Sequence, residues 1–372
     1  MVRYHRLERR IVNMYYQGII NYPGPKQEYK VLVRCFTYNQ KTYIEDALNG
    51  FAMQQTDFPF VCLVMDDAST DGEEKVIKAW MERECDMSRA ETIDIPTSVV
   101  IIVPHKTNAF CTFAVYILKQ NLYKAQEAKF RYVTPWREKC EYEAMCEGDD
   151  YWIDPLKLQK QVDFLDEHLD KTLVYTDCNV CFHSENIVIK DALKTGYFKQ
   201  TKGYKDFLLE GKYITPCSWL YRWHDYNSII LPSFTTDGTL CRALELLIHN
   251  RVGYINDTTC VYRVVHSGAS HNKDLKIRYE YLKGVFKTEK YYLEKFSSYF
   301  NEEDTYLLYN KRYIDHIPFA VAFNDKEVLE EIKSFNICNI NWKFKLILAL
   351  SNISMVRKFV YKKLQKSIQY GL

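Results

Sequence analysis

The feature that most constrains the fold is an alternation that begins near residue 29. In "YKVLVRCFTYN" a strand-like apolar run over 31–36 ends in a polar loop. "TYIEDALNGFAMQQ" follows with Ile44, Leu48 and Phe51 at helical spacing. "FPFVCLVMDDASTDG" is apolar to Met65 and then abruptly acidic and small, and "EEKVIKAWMERE" is again helical. "TSVVIIVPH" predicts a third strand and "FCTFAVYILKQNLYKAQE" a third helix. Strands apolar on both faces, each followed by a helix, imply a parallel sheet covered by helices on both sides. In such sheets ligands sit beyond the carboxyl ends of the strands, which is where "TYN", "DDASTDG" and "EGDD" fall.

The third of these loops, "CEGDDYW", gathers Glu147, Asp149 and Asp150 and follows them with two aromatics. Adjacent carboxylates raise one another's pKa unless a cation, a partner or water relieves them. A divalent cation is the first candidate. "WIDPLKLQKQVDFLDEH" then predicts a helix with Asp154 as N-cap, Pro155 at its first position and Leu158, Val162 and Leu165 on one face. In "DDASTDG" the residues Asp67, Ser69, Asp71 and Gly72 match the start of a calcium-binding EF-hand loop. Position twelve, however, is Lys78 where a bidentate Glu is required, and a strand precedes the loop instead of a helix. What remains is a strand ending in two carboxylates able to accept hydrogen bonds from a base or a ribose, or to cap the next helix.

From about residue 173 the pattern is mixed. "TLVYTDCNVCFH", "YITPCSWLYRW" and "VGYINDTTCVYRVVH" predict strands and "DGTLCRALELLIHN" a helix. Past about residue 272 the chain becomes helical and lysine-rich.

The segments "FTYNQKTYIEDAL", "VMDDASTDG" and "EAMCEGDDYWIDPLKLQKQVDF", in that order, resemble the N-terminal half of family 2 glycosyltransferases of the bacterial cell-surface polysaccharide type. "TTDGTLCRALELLIHNRVGYINDTTCVYRVVHSGASH" is similar to the family's second half. The resemblance covers roughly residues 29–271. It implies an α/β fold of the GT-A type, a Rossmann-like mixed, mostly parallel sheet flanked by helices, here with a C-terminal helical extension. It also implies metal-dependent, inverting transfer of a sugar from a nucleotide-diphospho-sugar to a glycan or lipid-linked glycan. Thr37, Tyr38 and Asn39 match the nucleotide contacts, and Asp66 or Asp67 the residue that reads the base. Glu147, Gly148 and Asp149 stand where the family has its metal-binding Asp-x-Asp. Asp149 is then the ligand to Mg²⁺ or Mn²⁺, with Glu147 and Asp150 toward metal, sugar or acceptor. Glu147 departs from the commonest pattern, which has Asp there. Asp237 matches the catalytic base, although an Asp opening a helix is also an ordinary N-cap. Arg263 and His266, in "YRVVHSG", match a diphosphate contact or, equally, a buried strand-end pair.

Domain expectations follow: 1–28 a basic helical segment, 29–150 a nucleotide-binding half, 151–275 an acceptor half, and 276–372 a helical extension. Twelve cysteines scattered over 372 residues, with no signal-peptide-like apolar core at the N-terminus, point to reduced thiols in a cytoplasmic protein. Cys178 and Cys181 form a CxxC with no second pair to complete a zinc site. A net charge of +2 gives no reason to expect nucleic acid, and no apolar run is long enough to span a bilayer. Residues 341–372 are distinctive: Lys343, Lys345, Arg357, Lys358, Lys362, Lys363 and Lys366, no acidic residue, and Trp342, Phe344, Leu346, Ile347, Leu350, Phe359 and Val360. That composition suits an amphipathic segment on the anionic inner face of the cell membrane, or a packed helix with a solvated basic face, and Arg3, Arg6, Arg9 and Arg10 extend the same charge. Two rival functions are kept. A nucleotidyltransferase calls for a Gly-rich phosphate loop, which "FTYNQK" is not; a catalytically silent glycan-binding relative would keep the fold and lose the donor site.

Overall fold

Every side chain of β1 (Val31–Thr37) except Phe36 is buried, as is all of β2 (Phe60–Asp66), because both lie inside a sheet covered on its two faces. These strands pair in parallel, and on the other side of β1 lies β6 (Tyr142–Met145), also parallel, with Val31 opposite Tyr142 and Arg34 opposite Met145. In this computed structural model the described residues are 22–369, without 126, 211–212, 266–271, 336 and 338–339. The basic segment expected over 1–28 lies outside them as far as residue 21, and so does His266.

The remaining strands are β3 (Glu91–Ile95), β4 (Ser98–Pro104), β5 (Cys111–Leu118), β7 (Tyr151–Trp152), β8 (Leu173–Phe182), β9 (Ile187–Ile189), β10 (Leu220–Arg222) and β11 (Val252–Arg263). The order across the sheet is β3-β4-β5-β2-β1-β6-β10-β8-β11-β7, with β9 on β8. β1, β2, β3, β5, β6, β8 and β11 run one way and β4, β7, β9 and β10 the other, so the sheet is mixed and mostly parallel, as expected. From β1 the chain moves outward through β2 to β5 and then returns to β6 on the opposite flank of β1. In α/β sheets such a reversal is where ligands are held, beyond the carboxyl ends of the strands, here β1 and β6.

One expectation fails here. "CTFAVYIL" is β5, parallel to β2, where a helix was expected. β3 and β4 form an antiparallel pair on its outer side. A run buried on both faces has no period that separates strand from helix, and its β-branched and aromatic content suits the sheet. The helical signal belongs only to α3 (Leu122–Ala125) after it.

Helices flank both faces. α1 (Ile44–Ala52) turns Ile44, Ala47, Leu48 and Phe51 inward, and Trp80 of α2 (Glu73–Glu84) sits edge-on to Phe113 of β5 at 4.9 Å between ring centroids. On the opposite face, Trp136 of α4 (Phe130–Arg137) donates its indole N–H to the Tyr116 hydroxyl at 2.7 Å, within a core that includes Leu32, Leu63, Met65 and Val133. α5 (Lys157–Glu167) buries Leu158, Val162 and Leu165 as predicted. It starts two residues later than the Asp-Pro signal implied: Asp154 accepts from the Leu156 N–H at 2.9 Å and forms the turn ahead of the helix.

Two compact units emerge: the described part of Met1–Gln200 with Tyr213–Ser233 and Glu245–Arg263, and Thr201–Lys212 with Phe234–Leu244 and Val264–Leu372. The first holds the sheet. Further helices are α6 (Tyr204–Glu210), α7 (Trp223–Ser228), α8 (Gly238–Ile248), α9 (Leu275–Lys295), α10 (Glu302–Phe323), α11 (Lys326–Ser334), α12 (Trp342–Ala349) and α13 (Ser354–Gln369). In the second unit Tyr279, Phe286, Ile317, Ala320, Leu329 and Val360 form a core of their own. Asn301 and Asp304 exchange hydrogen bonds in a capping box at the start of α10. Among the described residues no helix is long and apolar enough to cross a membrane. All the described cysteines are free, and Cys178 and Cys181 lie along β8.

Candidate active site

Three loops leave the carboxyl ends of β1, β2 and β6 side by side. The ladder continues into them: the Asp67 N–H donates to the Thr37 carbonyl at 3.0 Å and the Gly148 N–H to the Phe36 carbonyl at 3.3 Å. At Gly148 a Cβ would stand 2.5 Å from Thr37 Oγ1 and 2.6 Å from Gln40 Oε1, so only glycine lets the acidic loop lie against the β1 loop. Gly148→Ala is expected to cost about 1–3 kcal/mol of stability through overpacking and to displace the loop. Thermal unfolding, with nucleotide titration alongside, checks this; a variant unchanged in both would refute the contact's importance.

The first loop turns at Asn39, whose φ of 54° is left-handed. Its main-chain N–H donates to Ser69 Oγ at 2.9 Å, and its side-chain Oδ1 accepts from the Thr70 N–H at 2.7 Å. Asn39 therefore ties the β1 loop to the β2 loop. Tyr38, beside it, lies under the Lys124 ammonium, 5.6 Å from the ring centroid.

Asp66 and Asp67 are both buried and are used differently. Asp67 accepts from the Leu122 N–H at 2.6 Å and the Tyr123 N–H at 3.3 Å, and it pairs with the Lys129 ammonium at 2.9 Å. Its carboxylate is occupied in holding α3. Asp66 accepts from the Ser69 N–H at 2.9 Å, and burial, only partly offset by Ser69, raises its pKa. Asp66 is the carboxylate with acceptor capacity to spare.

In the acidic loop Glu147 keeps 42% of its side chain open, although enough protein surrounds its carboxylate to push the pKa up, with Asp149 adding to the rise and Arg34 opposing it. Asp149 is also raised, chiefly by burial, against the pull of Arg263 and a hydrogen bond from Gln40. Asp150 is buried and raised well above its usual range by burial and then by Asp149; its Oδ1 accepts from the Arg263 N–H at 2.8 Å. The crowding read from the sequence is thus present in three dimensions.

Arg263 braces the loop from below. Its guanidinium donates to the Asp149 carbonyl at 3.0 Å, pairs with Asp46, and packs over the rings of Tyr151 at 4.2 Å and Tyr43 at 5.1 Å.

Asp237 belongs to the second unit and opens α8. Its Oδ1 accepts from the N–H groups of Thr239 at 2.9 Å and Leu240 at 3.0 Å, which is the capping role. Its Oδ2 accepts from the Tyr281 hydroxyl at 2.9 Å.

Sequence reasoning missed four supporting residues. Glu73, fully buried, takes the Gln40 N–H at 2.8 Å, the Ser69 hydroxyl at 2.9 Å and the Thr37 hydroxyl, so one carboxylate joins the β1 and β2 loops. Burial raises its pKa against those three donors. Gln40 meets both Thr37 and Asp149. Arg34 donates to Glu143 at 2.9 Å and faces Glu147 at 3.5 Å. Lys129 neutralises Asp67. Glu73 directly follows the Asp-Gly that starts α2, which is the one local signal the sequence offered.

Can these residues hold a metal ion? Among the described residues no group of three or more His, Cys, Asp and Glu side chains is arranged as a metal site. A cation that binds diphosphate, however, takes one or two carboxylates from the protein and its other ligands from phosphate and water. Asp149, raised by burial, next to Asp150 in the chain and bordered by the open Glu147, is a hard-oxygen donor whose charge a cation would relieve. The donor set fits Mg²⁺ or Mn²⁺.

No protein-family model matches the chain. An uncharacterised protein of Mycobacterium bovis is 31% identical over 241 residues, 63% of this chain, and its counterparts in two Mycobacterium tuberculosis strains match equally. The matched region covers 59% of the length of those relatives. Among solved structures, S. aureus TarS (residues 1–349) with UDP is similar at a TM-score of 0.43 and 15% identity, over 92% of both chains. The mannosyltransferase PcManGT of Pyrobaculum calidifontis, with GDP-Man and Mn²⁺, is similar at a TM-score of 0.46 and 14% identity, over 97% of this chain and 93% of that one.

Proposed function

We propose that the chain is a metal-dependent, inverting glycosyltransferase of the GT-A type, related to family 2, that moves a sugar from a nucleotide-diphospho-sugar to a glycan or lipid-linked acceptor in surface polysaccharide synthesis. The observation that carries this reading is the pair of buried, raised carboxylates Asp149 and Asp150, the second pushed further by the first, at the carboxyl end of β6 where the sheet order reverses, beside the loops of Tyr38–Asn39 and Asp66. Tyr38 offers a face on which a base can stack, and Asp66 an acceptor for a base N–H. Asn39 and Glu73 hold these loops at one spacing.

Asp149 would hold the cation, with Glu147 at its side, and the cation when bound supplies neutralisation of the departing diphosphate. Asp237, matched to the family's base by its sequence context, would remove the proton from the acceptor hydroxyl as that oxygen bonds to the anomeric carbon. The bond from that carbon to the phosphate oxygen breaks, and the nucleoside diphosphate leaves with the electron pair. One base and no covalent intermediate give inversion.

The loop after β1 bears no glycine cluster, which speaks against a nucleotidyltransferase. A silent glycan-binding relative would have no use for a crowded carboxylate pair. Equilibrium binding of UDP, GDP and dTDP, each with Mn²⁺ or with chelator, tests the reading. One nucleotide is expected to bind at least about tenfold more tightly with metal, a difference of about 1.4 kcal/mol. Absence of binding by all three in either condition would sink it.

A further inference from the structure

The lysine-rich C-terminus has two opposite faces. Val356, Val360 and Leu364 of α13, and Phe344, Ile347 and Leu348 of α12, pack onto the core of the second unit. The other stripe of α13 carries Met355, Phe359, Lys362, Lys363 and Lys366, spaced at i, i+4, i+7, i+8 and i+11, with Lys358 alongside. Met355 is 79% exposed and Phe359 58%. On α12 Trp342 is 67% exposed, one turn before the exposed Leu346, between the exposed Lys343 and Lys345; Ile353, in the turn between the helices, is exposed as well. Arg357 takes no part in this face, since its guanidinium donates to Asn324 Oδ1 at 3.0 Å.

Large apolar side chains shown on two successive helices whose own charged residues are all positive call for a partner that is apolar within and anionic at its surface. A second copy of the chain would set lysine against lysine. We propose that the outward face of α12 and α13 docks on an anionic lipid surface, with Trp342, Leu346, Ile353, Met355 and Phe359 entering the headgroup boundary and the lysines meeting acidic headgroups. Neither helix is long or apolar enough to cross, so the segment lies along the interface. The docking surface stands on its own residues; its use, bringing a lipid-linked acceptor within reach, rests on the transferase reading.

The chain carries its own reporter. Of its six tryptophans, Trp80, Trp136, Trp152, Trp219 and Trp223 are buried and only Trp342 is exposed. The full-length protein is mixed with vesicles of phosphatidylglycerol and phosphatidylcholine, or of phosphatidylcholine alone, and assayed by sedimentation and tryptophan emission. Binding to the anionic vesicles only is expected, weakened by salt, with a blue shift that Trp342→Phe abolishes. Each lysine near such a surface contributes a factor of about five, so Lys358→Glu/Lys362→Glu/Lys363→Glu together should lower partitioning by at least about 100-fold. Met355→Ser/Phe359→Ser should weaken binding while leaving its salt dependence. Circular dichroism of both variants establishes that they fold. No binding, equal binding to neutral vesicles, binding that survives the lysine changes or leaves the emission unmoved, or a blue shift from self-association without lipid would each overturn the assignment. None of these arms uses a nucleotide sugar, so failure here and failure of the transferase reading are separable.

Discussion

Asp149→Ala is expected to abolish metal-dependent turnover without unfolding the protein. Its carboxylate is the one proposed to carry the cation, and charge neutralisation of that kind is worth several kcal/mol in the transition state, or a fall in rate of about a thousandfold. Stability moves the other way. The folded-state pKa values of Asp149 and Asp150 are raised by burial, and Asp150 further by its neighbour. A carboxylate raised on folding stabilises the fold below its unfolded pKa and loses that contribution as pH rises through the folded value, so toward neutral pH the pair lowers stability. Removing Asp149 relieves this. The melting temperature at neutral pH should stay level or rise while activity collapses, a combination that separates a site residue from a structural one. A fall in both would mark Asp149 as scaffolding.

Asp237→Asn is expected to keep donor binding and, if Asp237 is the base proposed above, to lose transfer by roughly a hundredfold to ten-thousandfold, the contribution of a general base. Asparagine caps a helix as well as aspartate does, so the bonds from Thr239 and Leu240 to Oδ1 persist and α8 is undisturbed. Asp237→Ala loses the cap as well, at a cost of about 1 kcal/mol, and only this variant should melt lower. Single-turnover transfer, donor affinity and thermal unfolding, measured on both variants, divide the two roles. Full transfer by Asp237→Asn would leave Asp237 as a cap alone.

What could be read from the sequence was local or periodic. β1, β2, α1 and α2 follow from apolar spacing, and the acidic loop from three carboxylates within four positions. β5 was misread because a doubly buried strand has no period, and the short helix after it extended the helical signal backwards. The site's supports were out of reach for another reason. Glu73, Arg34 and Lys129 act on residues far away in sequence, and a buried ion pair or shared acceptor leaves no trace in the spacing of either partner. The roles of Asp66 and Asp67 became distinguishable only once the N–H groups of α3 were seen on Asp67. At the C-terminus the structure assigns residues to a packed face and to a basic, exposed face, a division that composition alone does not make.

The central claim, metal-dependent attack on a nucleotide sugar, is tested most directly by nucleotide release. Purified protein is incubated with UDP-, GDP- and dTDP-sugars, with Mn²⁺ or with chelator, beside Asp149→Ala. Release from one donor, present with metal and absent with chelator and in the variant, is the predicted result. Release from no donor, or release that ignores both the metal and Asp149, would contradict it.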